Sequence, residues 1–120
     1  MSKDRRQRAN RRGHGAETLA AILLHLKGYR ILARGYRVAA GEIDIVAGRG
    51  RLIAFVEVKA RDTLLGALEA VGPQQRTRIA RAAEHFMAQH ADMQGRDLRF
   101  DVVAVLPGRL PKHIADAWRP

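Results

Sequence analysis

Apolar and polar positions alternate with changing period along the chain, and each change marks an element. Residues 15–27 are dominated by Ala and Leu, strong helix formers, and Gly28 supplies the stop. This predicted helix is apolar on most sides, so it is expected to be buried. Glu17 is the exception: counting three, four and seven positions onward gives Ala20, Ala21 and Leu24, so a carboxylate lies on the apolar stripe. One or two strands are expected around residues 29–33 and 36–40. A hairpin follows, with a strand over 42–47, a turn at Gly48-Arg49-Gly50 and a return strand over 52–59. The return strand is apolar on both faces until its end, which argues for a central position in the sheet.

Residues 62–72 read as a loop. Pro73 opens a second helix to about Gln89, with Ile79, Ala83, Phe86, Met87 and His90 on its buried stripe. Residues 98–106 form a further strand ended by Pro107, and the tail from Lys112 to Trp118 is expected to form a short last helix. The order α-β-β-β-α-β predicts an α/β fold, a mixed central sheet flanked by helices. A length of 120 residues suits one domain. Residues 1–12 are the exception, since they offer almost nothing apolar to bury. They read as a disordered basic arm ahead of a domain over 13–120.

Charge changes the picture most. Lys and Arg number 22 against 12 Asp and Glu, a formal net charge of +10. A domain this basic attracts polyanions, and its Arg forks suit phosphate. The expected nucleic-acid contacts are Arg5, Arg6, Arg8, Arg11 and Arg12 of the arm, with Arg61, Arg76 and Arg78 of the domain. There are no cysteines, which excludes disulfides and thiolate metal sites. No apolar run approaches the ~20 residues that span a bilayer, and no secretory signal is recognisable. The expected location is cytoplasmic, with no membrane partner.

The candidate chemistry lies in the hairpin. Residues two apart in a strand share a face, which pairs Glu42 with Asp44 and Glu57 with Lys59 on adjacent strands. Charges are rarely set among Ile and Val unless paired or bound to metal. A hard cation such as Mg²⁺ takes oxygen ligands, one or two carboxylates plus water and substrate phosphate. Asp44 and Glu57 suit that role, and the Val58 carbonyl could add a ligand. Lys59 would orient an attacking water or stabilise charge on the phosphorus. The bland alternative is a pair of sheet ion pairs, Glu57 with Lys59 and Asp44 with Arg61.

Three segments carry a resemblance: Gly41-Glu42-Ile43-Asp44-Ile45-Val46, Phe55-Val56-Glu57-Val58-Lys59-Ala60-Arg61 and Arg99-Phe100-Asp101-Val102-Val103. With Gly15-Ala16-Glu17 and the stretch from His113 to Trp118, they resemble the YraN-like family of bacterial proteins over roughly residues 13–118. That family is similar to the restriction-endonuclease superfamily, and within it to archaeal Holliday-junction resolvases. The resemblance implies a restriction-endonuclease-like core. It implies a catalytic set of Glu17, Asp44, Glu57 and Lys59, with Asp44, Glu57 and Glu17 as ligands of Mg²⁺ or Mn²⁺. Glu42 belongs to the same motif. Family members often carry a Lys near the start of the second helix, where this chain has Gln75. By analogy with the resolvases, a homodimer is implied.

The implied activity is metal-dependent hydrolysis of phosphodiester bonds in DNA, with structured or branched DNA as a candidate substrate. The alternative is a nucleic-acid-binding module with a nuclease fold and no turnover. A third reading is a basic scaffold for a protein or ribosomal RNA partner. Other side chains read as structural. The five histidines are too scattered for a zinc site, Asp101 is expected to pair with Arg99, and Trp118 is expected to plug the core. Gly48-Arg49-Gly50 is a hairpin turn, not a phosphate loop, because no helix follows it.

Overall fold

The hairpin is the centre of the molecule. In the computed structural model of the chain, backbone is described from Lys3 to Pro120 and side chains from Gly15 onward. The elements are α1 (Lys3–Leu26), β1 (Arg30–Val38), β2 (Gly41–Arg49), β3 (Leu52–Ala60), α2 (Leu64–Glu69) and α3 (Pro73–Gln89). A 3₁₀ turn (Ala91–Met93) leads to β4 (Asp97–Val105) and β5 (Lys112–Trp118). The arm side chains Arg5, Arg6, Arg8, Arg11 and Arg12, and the expectation of disorder over residues 1–12, lie outside the described side chains.

The five strands form one sheet in the order β1-β2-β3-β4-β5. All neighbours are antiparallel except β3 and β4, which are parallel. Parallel neighbours need a long crossover, and here it is α2 and α3. β3 is central, as its doubly apolar sequence predicts. Ile53 and Phe55 pack with Ile79, Ala82, Ala83 and Phe86 of α3 on one face. Ala54 and Val56 pack with Ala20, Ala21 and Leu24 of α1 on the other.

Two glycines explain how the helices are placed. Gly28 adopts φ +90°, a left-handed conformation that ends α1 at low cost. Gly41, at the start of β2, lies directly under α3, where an added Cβ would fall 2.3 Å from the Arg78 carbonyl oxygen. The lack of a side chain there lets the first turns of α3 settle onto the sheet beside β2.

Of the one or two strands expected over 29–40 there is one, β1, with an irregularity between Ile31 and Ala33. Two local expectations change. The loop over 62–72 contains α2, capped by Thr63, whose Oγ1 accepts from Gly66 N at 3.0 Å. The tail expected as a helix is instead β5, paired with β4 through Ile114 opposite Val102 and Trp118 opposite Phe100. Its Ala-containing sequence permits helix, but the open edge of β4 supplies hydrogen-bond partners that local propensity does not register. Asp116, at φ +53°, lies where the register shifts between Phe100 and Val102. Trp118 is buried against Phe100, ring centroids 4.4 Å apart, which bears out its reading as a core plug.

Candidate active site

The β2–β3 ladder runs from Arg49 opposite Leu52 to Ile45 opposite Val56 and then stops. Beyond that point two carboxylates take over from backbone carbonyls. Val58 N donates to Asp44 Oδ2 at 2.8 Å, and Asp44 N reaches toward Glu57 Oε1 at a long 3.4 Å. Each side chain thus bonds to the backbone of the opposite strand, which brings Asp44 and Glu57 together where the strands part. Glu57 faces α3, where its Oε2 accepts from Gln75 Nε2 at 3.1 Å. It is 3% exposed, while Asp44 and Lys59 are half-buried.

Two acids this close in a dry setting cannot both ionise freely. Burial, then the neighbouring Asp44 charge, pushes the Glu57 carboxyl up to about 9, against the pull of Lys59. Burial also raises Asp44, opposed by the Val58 N–H, a hydrogen bond with Glu57 and the Lys59 charge. The hydrogen bond between the two carboxyls favours the proton on Glu57 and the charge on Asp44.

The bland alternative is not realised. Among the described residues, neither Asp44 nor Glu57 is in an ion pair. Arg61 is exposed and donates to the Ala60 carbonyl at 2.8 Å. A pair of uncompensated oxygen donors suits a hard divalent cation, with water and phosphate completing its shell. The donor set present therefore fits Mg²⁺ or Mn²⁺.

The implied fourth member is not gathered in. Glu17 is half-buried on α1 and pairs with Arg34 of β1, Nε to Oε1 3.2 Å, while Arg34 Nη2 also donates to Thr18 Oγ1. Among the described residues no three acidic or histidine side chains are grouped to hold a metal. The edge-strand guanidinium that engages Glu17 is invisible to a reading of α1 alone. Glu42 is exposed and pairs with Arg37 at 3.3 Å. Arg76 is engaged structurally, donating to the Val71 carbonyl at 2.9 Å with its guanidinium 5.8 Å from the Trp118 ring. Arg78 is exposed at the start of α3, near the site.

A second polar cluster surrounds Asp101, which is fully buried. Arg99 donates to both of its oxygens at 2.7 Å, as expected. The sequence reading missed the other partners: His113 Nε2, 2.7 Å from Oδ2, and Asp116 N, 3.0 Å from Oδ1. Arg99 also donates to the Tyr29 hydroxyl at 2.6 Å. The available signal was a polar His113 placed opposite Val103 and so diagonal to the strand acid Asp101, and it is readable only once β5 is known to be a strand.

Comparison with known proteins places these residues in a family. The chain matches the Uncharacterised protein family UPF0102 over residues 16–105, a span that includes Glu17, Asp44, Glu57, Lys59, Gln75 and Asp101. The chain belongs to UPF0102. It is 54% identical over 112 residues to a UPF0102 protein of Parvibaculum lavamentivorans, covering 93% of this chain and 84% of that protein. It is 55% identical over 117 residues to UPF0102 protein amb4503 of Paramagnetospirillum magneticum, covering 94% and 91%. It is 50% identical over 120 residues to UPF0102 protein Mmar10_3014 of Maricaulis maris, covering 100% and 94%. The YraN-like resemblance agrees with membership of UPF0102. No described helix of this UPF0102 chain is long and apolar enough to cross a membrane.

Proposed function

We propose that this UPF0102 protein is a divalent-metal-dependent nuclease that hydrolyses phosphodiester bonds in DNA, structured or branched DNA being the substrate its resolvase resemblance suggests. The observation that carries the reading is the pair of buried Glu57 and half-buried Asp44 at the strand split, with Lys59 beside it and no ion pair among the described residues to neutralise either acid. An arrangement this costly for folding is expected where a cation is bound. The net charge of +10 supports a polyanionic substrate. A cytoplasmic location fits both, and a homodimer follows from the resolvase analogy.

In this reading Asp44 and Glu57 hold Mg²⁺ or Mn²⁺, and the Val58 carbonyl is a further oxygen within the same strand. The bound cation would stabilise charge on the scissile phosphate and activate water. Lys59 orients that water and stabilises the charge that develops on the phosphate oxygens. Arg61 and Arg78, exposed near the site, bind flanking phosphates, as do the arm arginines.

A second reading is a nucleic-acid-binding module without turnover. The Glu17–Arg34 pair favours it, because it leaves two carboxylates rather than three. Cleavage of linear, nicked, flapped, single-stranded and four-way DNA, and of RNA, with Mg²⁺ or Mn²⁺ separates the two. The nuclease cleaves at least one substrate, and Glu57→Ala lowers the rate by orders of magnitude while DNA affinity without metal holds or rises. A wild-type protein that cleaves nothing, or a Glu57→Ala variant that cleaves equally well, leaves the binding module as the better account.

A further inference from the structure

Glu57 and Lys59 lie on the same side of β3 two residues apart, which puts opposite charges on one face of the strand. They do not form an ion pair. The side chain that holds Glu57 comes from the other direction: Gln75, in the first turn of α3, donates from Nε2 to Glu57 Oε2 at 3.1 Å. Gln75 is half-buried, and its helix is seated by the close approach of Arg78 to Gly41. The donor is therefore set on a rigid element, not on a mobile surface side chain.

We infer that Gln75 is a positioning residue for the candidate centre: its amide draws Glu57 toward α3 and away from Lys59, so that the carboxylate is aimed at a cation and the ammonium is left for substrate. The inference rests on the nuclease reading and deepens it. A neutral amide suits this task. It fixes one carboxylate oxygen by a directional hydrogen bond without adding the positive charge that would compete with a bound cation. Groups that orient metal ligands from behind in this way change metal affinity roughly 10–100-fold when removed. In Gln75→Leu, Glu57 loses its only side-chain donor from α3 and can turn to Lys59, which ties up both groups.

The test uses the full chain and Mn²⁺ alone, with free Mn²⁺ followed by electron paramagnetic resonance. Gln75→Leu is expected to weaken Mn²⁺ binding about tenfold or more, with metal-free Tm within a few degrees of wild type. Position 75 is partly solvent-exposed, so the variant should fold. In ¹H–¹⁵N spectra without metal, Glu57→Gln should shift the Gln75 side-chain amide resonance, which reports the contact directly. The inference is overturned if Gln75→Leu binds Mn²⁺ within twofold of wild type while Glu57→Ala does not bind it. If wild type and Glu57→Ala fail alike to bind Mn²⁺, the nuclease reading itself falls and the inference with it, a pattern distinct from the first.

Discussion

Glu57 and Asp101 lie one step apart in register on neighbouring strands, since Val56 pairs with Asp101 and Glu57 with Val102. They face opposite sides of the sheet, Glu57 toward α3 and Asp101 toward the turn that joins α1 to β1. Both are buried acids, 3% and 0% exposed, yet their surroundings are opposed. Asp101 receives two bonds from Arg99, one from His113 and one from the Asp116 backbone. Burial pushes its carboxyl up, but His113, Arg99 and Asp116 outweigh burial and hold it at about 2. Glu57 receives an amide and a long backbone contact, shares its site with another acid, and is pushed up to about 9. One acid is compensated on every side, as structure demands. The other has no ion-pair partner among the described residues. Burial alone separates neither case; the partners do.

The largest effect should come from breaking the compensated side. Asp101→Ala would leave Arg99 and His113 facing a void in a dry pocket, and removing one partner of a buried ion pair costs about 3–5 kcal/mol. Urea denaturation at pH 7 is the measurement. A loss under 1 kcal/mol would mean that Asp101 does not anchor β5 to the sheet. The acid dependence has a definite sign. The folded carboxyl, held near 2, lies below its ordinary value of 3.8, so its stabilising contribution is complete above about pH 4 and is lost as pH falls toward 2.

Glu57 should behave in the reverse sense and by a smaller amount. Its folded carboxyl, near 9, lies above the ordinary 4.5, so the unfolded chain ionises first and metal-free stability falls as pH rises from about 4.5 to 9. Glu57→Gln keeps the shape and removes the ionisation. It should raise metal-free stability at pH 8 by about 1–2 kcal/mol and change it little at pH 5, a gain typical of neutralised functional sites. Thermal melts of both proteins across pH 5–9 give the answer. A Glu57→Gln variant less stable than wild type at pH 8 would place Glu57 with Asp101, as an acid the fold depends on.

How far this contrast could be read beforehand depends on distance along the chain. The strand period put Asp44, Glu57 and Lys59 together because their relation is local: two neighbouring strands, a tight turn and side chains two apart. Arg99 beside Asp101 was legible for the same reason. What escaped was long-range. Gln75 lies 18 residues from Glu57, and His113 lies 12 from Asp101. Arg34 meets Glu17 only because β1 returns along α1. β5 was misread because its strand state comes from the edge of β4, not from its own residues. α2 was hidden in the segment over 62–72, which reads as a loop because it contains Gly66 and Gly72. The acid pair could thus be found from sequence, whereas whether each buried acid is compensated required the fold.

The finest test of the comparison is the outer edge of the Asp101 cluster. The Tyr29 hydroxyl accepts from Arg99 Nη2 at 2.6 Å, but the same guanidinium already grips both oxygens of Asp101. Tyr29→Phe removes the acceptor and keeps the ring, over which the Arg99 guanidinium sits at 6.0 Å and that of Arg49 at 4.5 Å. The Arg99–Asp101 geometry should survive, so the loss should be about 1 kcal/mol, the net worth of one hydrogen bond. It should also be the same at pH 5 and pH 8, because the carboxyl it supports indirectly is charged at both. A double-mutant cycle with Asp101→Asn sharpens the point. If the cluster is one cooperative network, Tyr29→Phe should cost measurably less once Asp101 no longer fixes Arg99. Strictly additive losses would mean that Tyr29 acts alone and that compensation of Asp101 ends at Arg99, His113 and the Asp116 backbone.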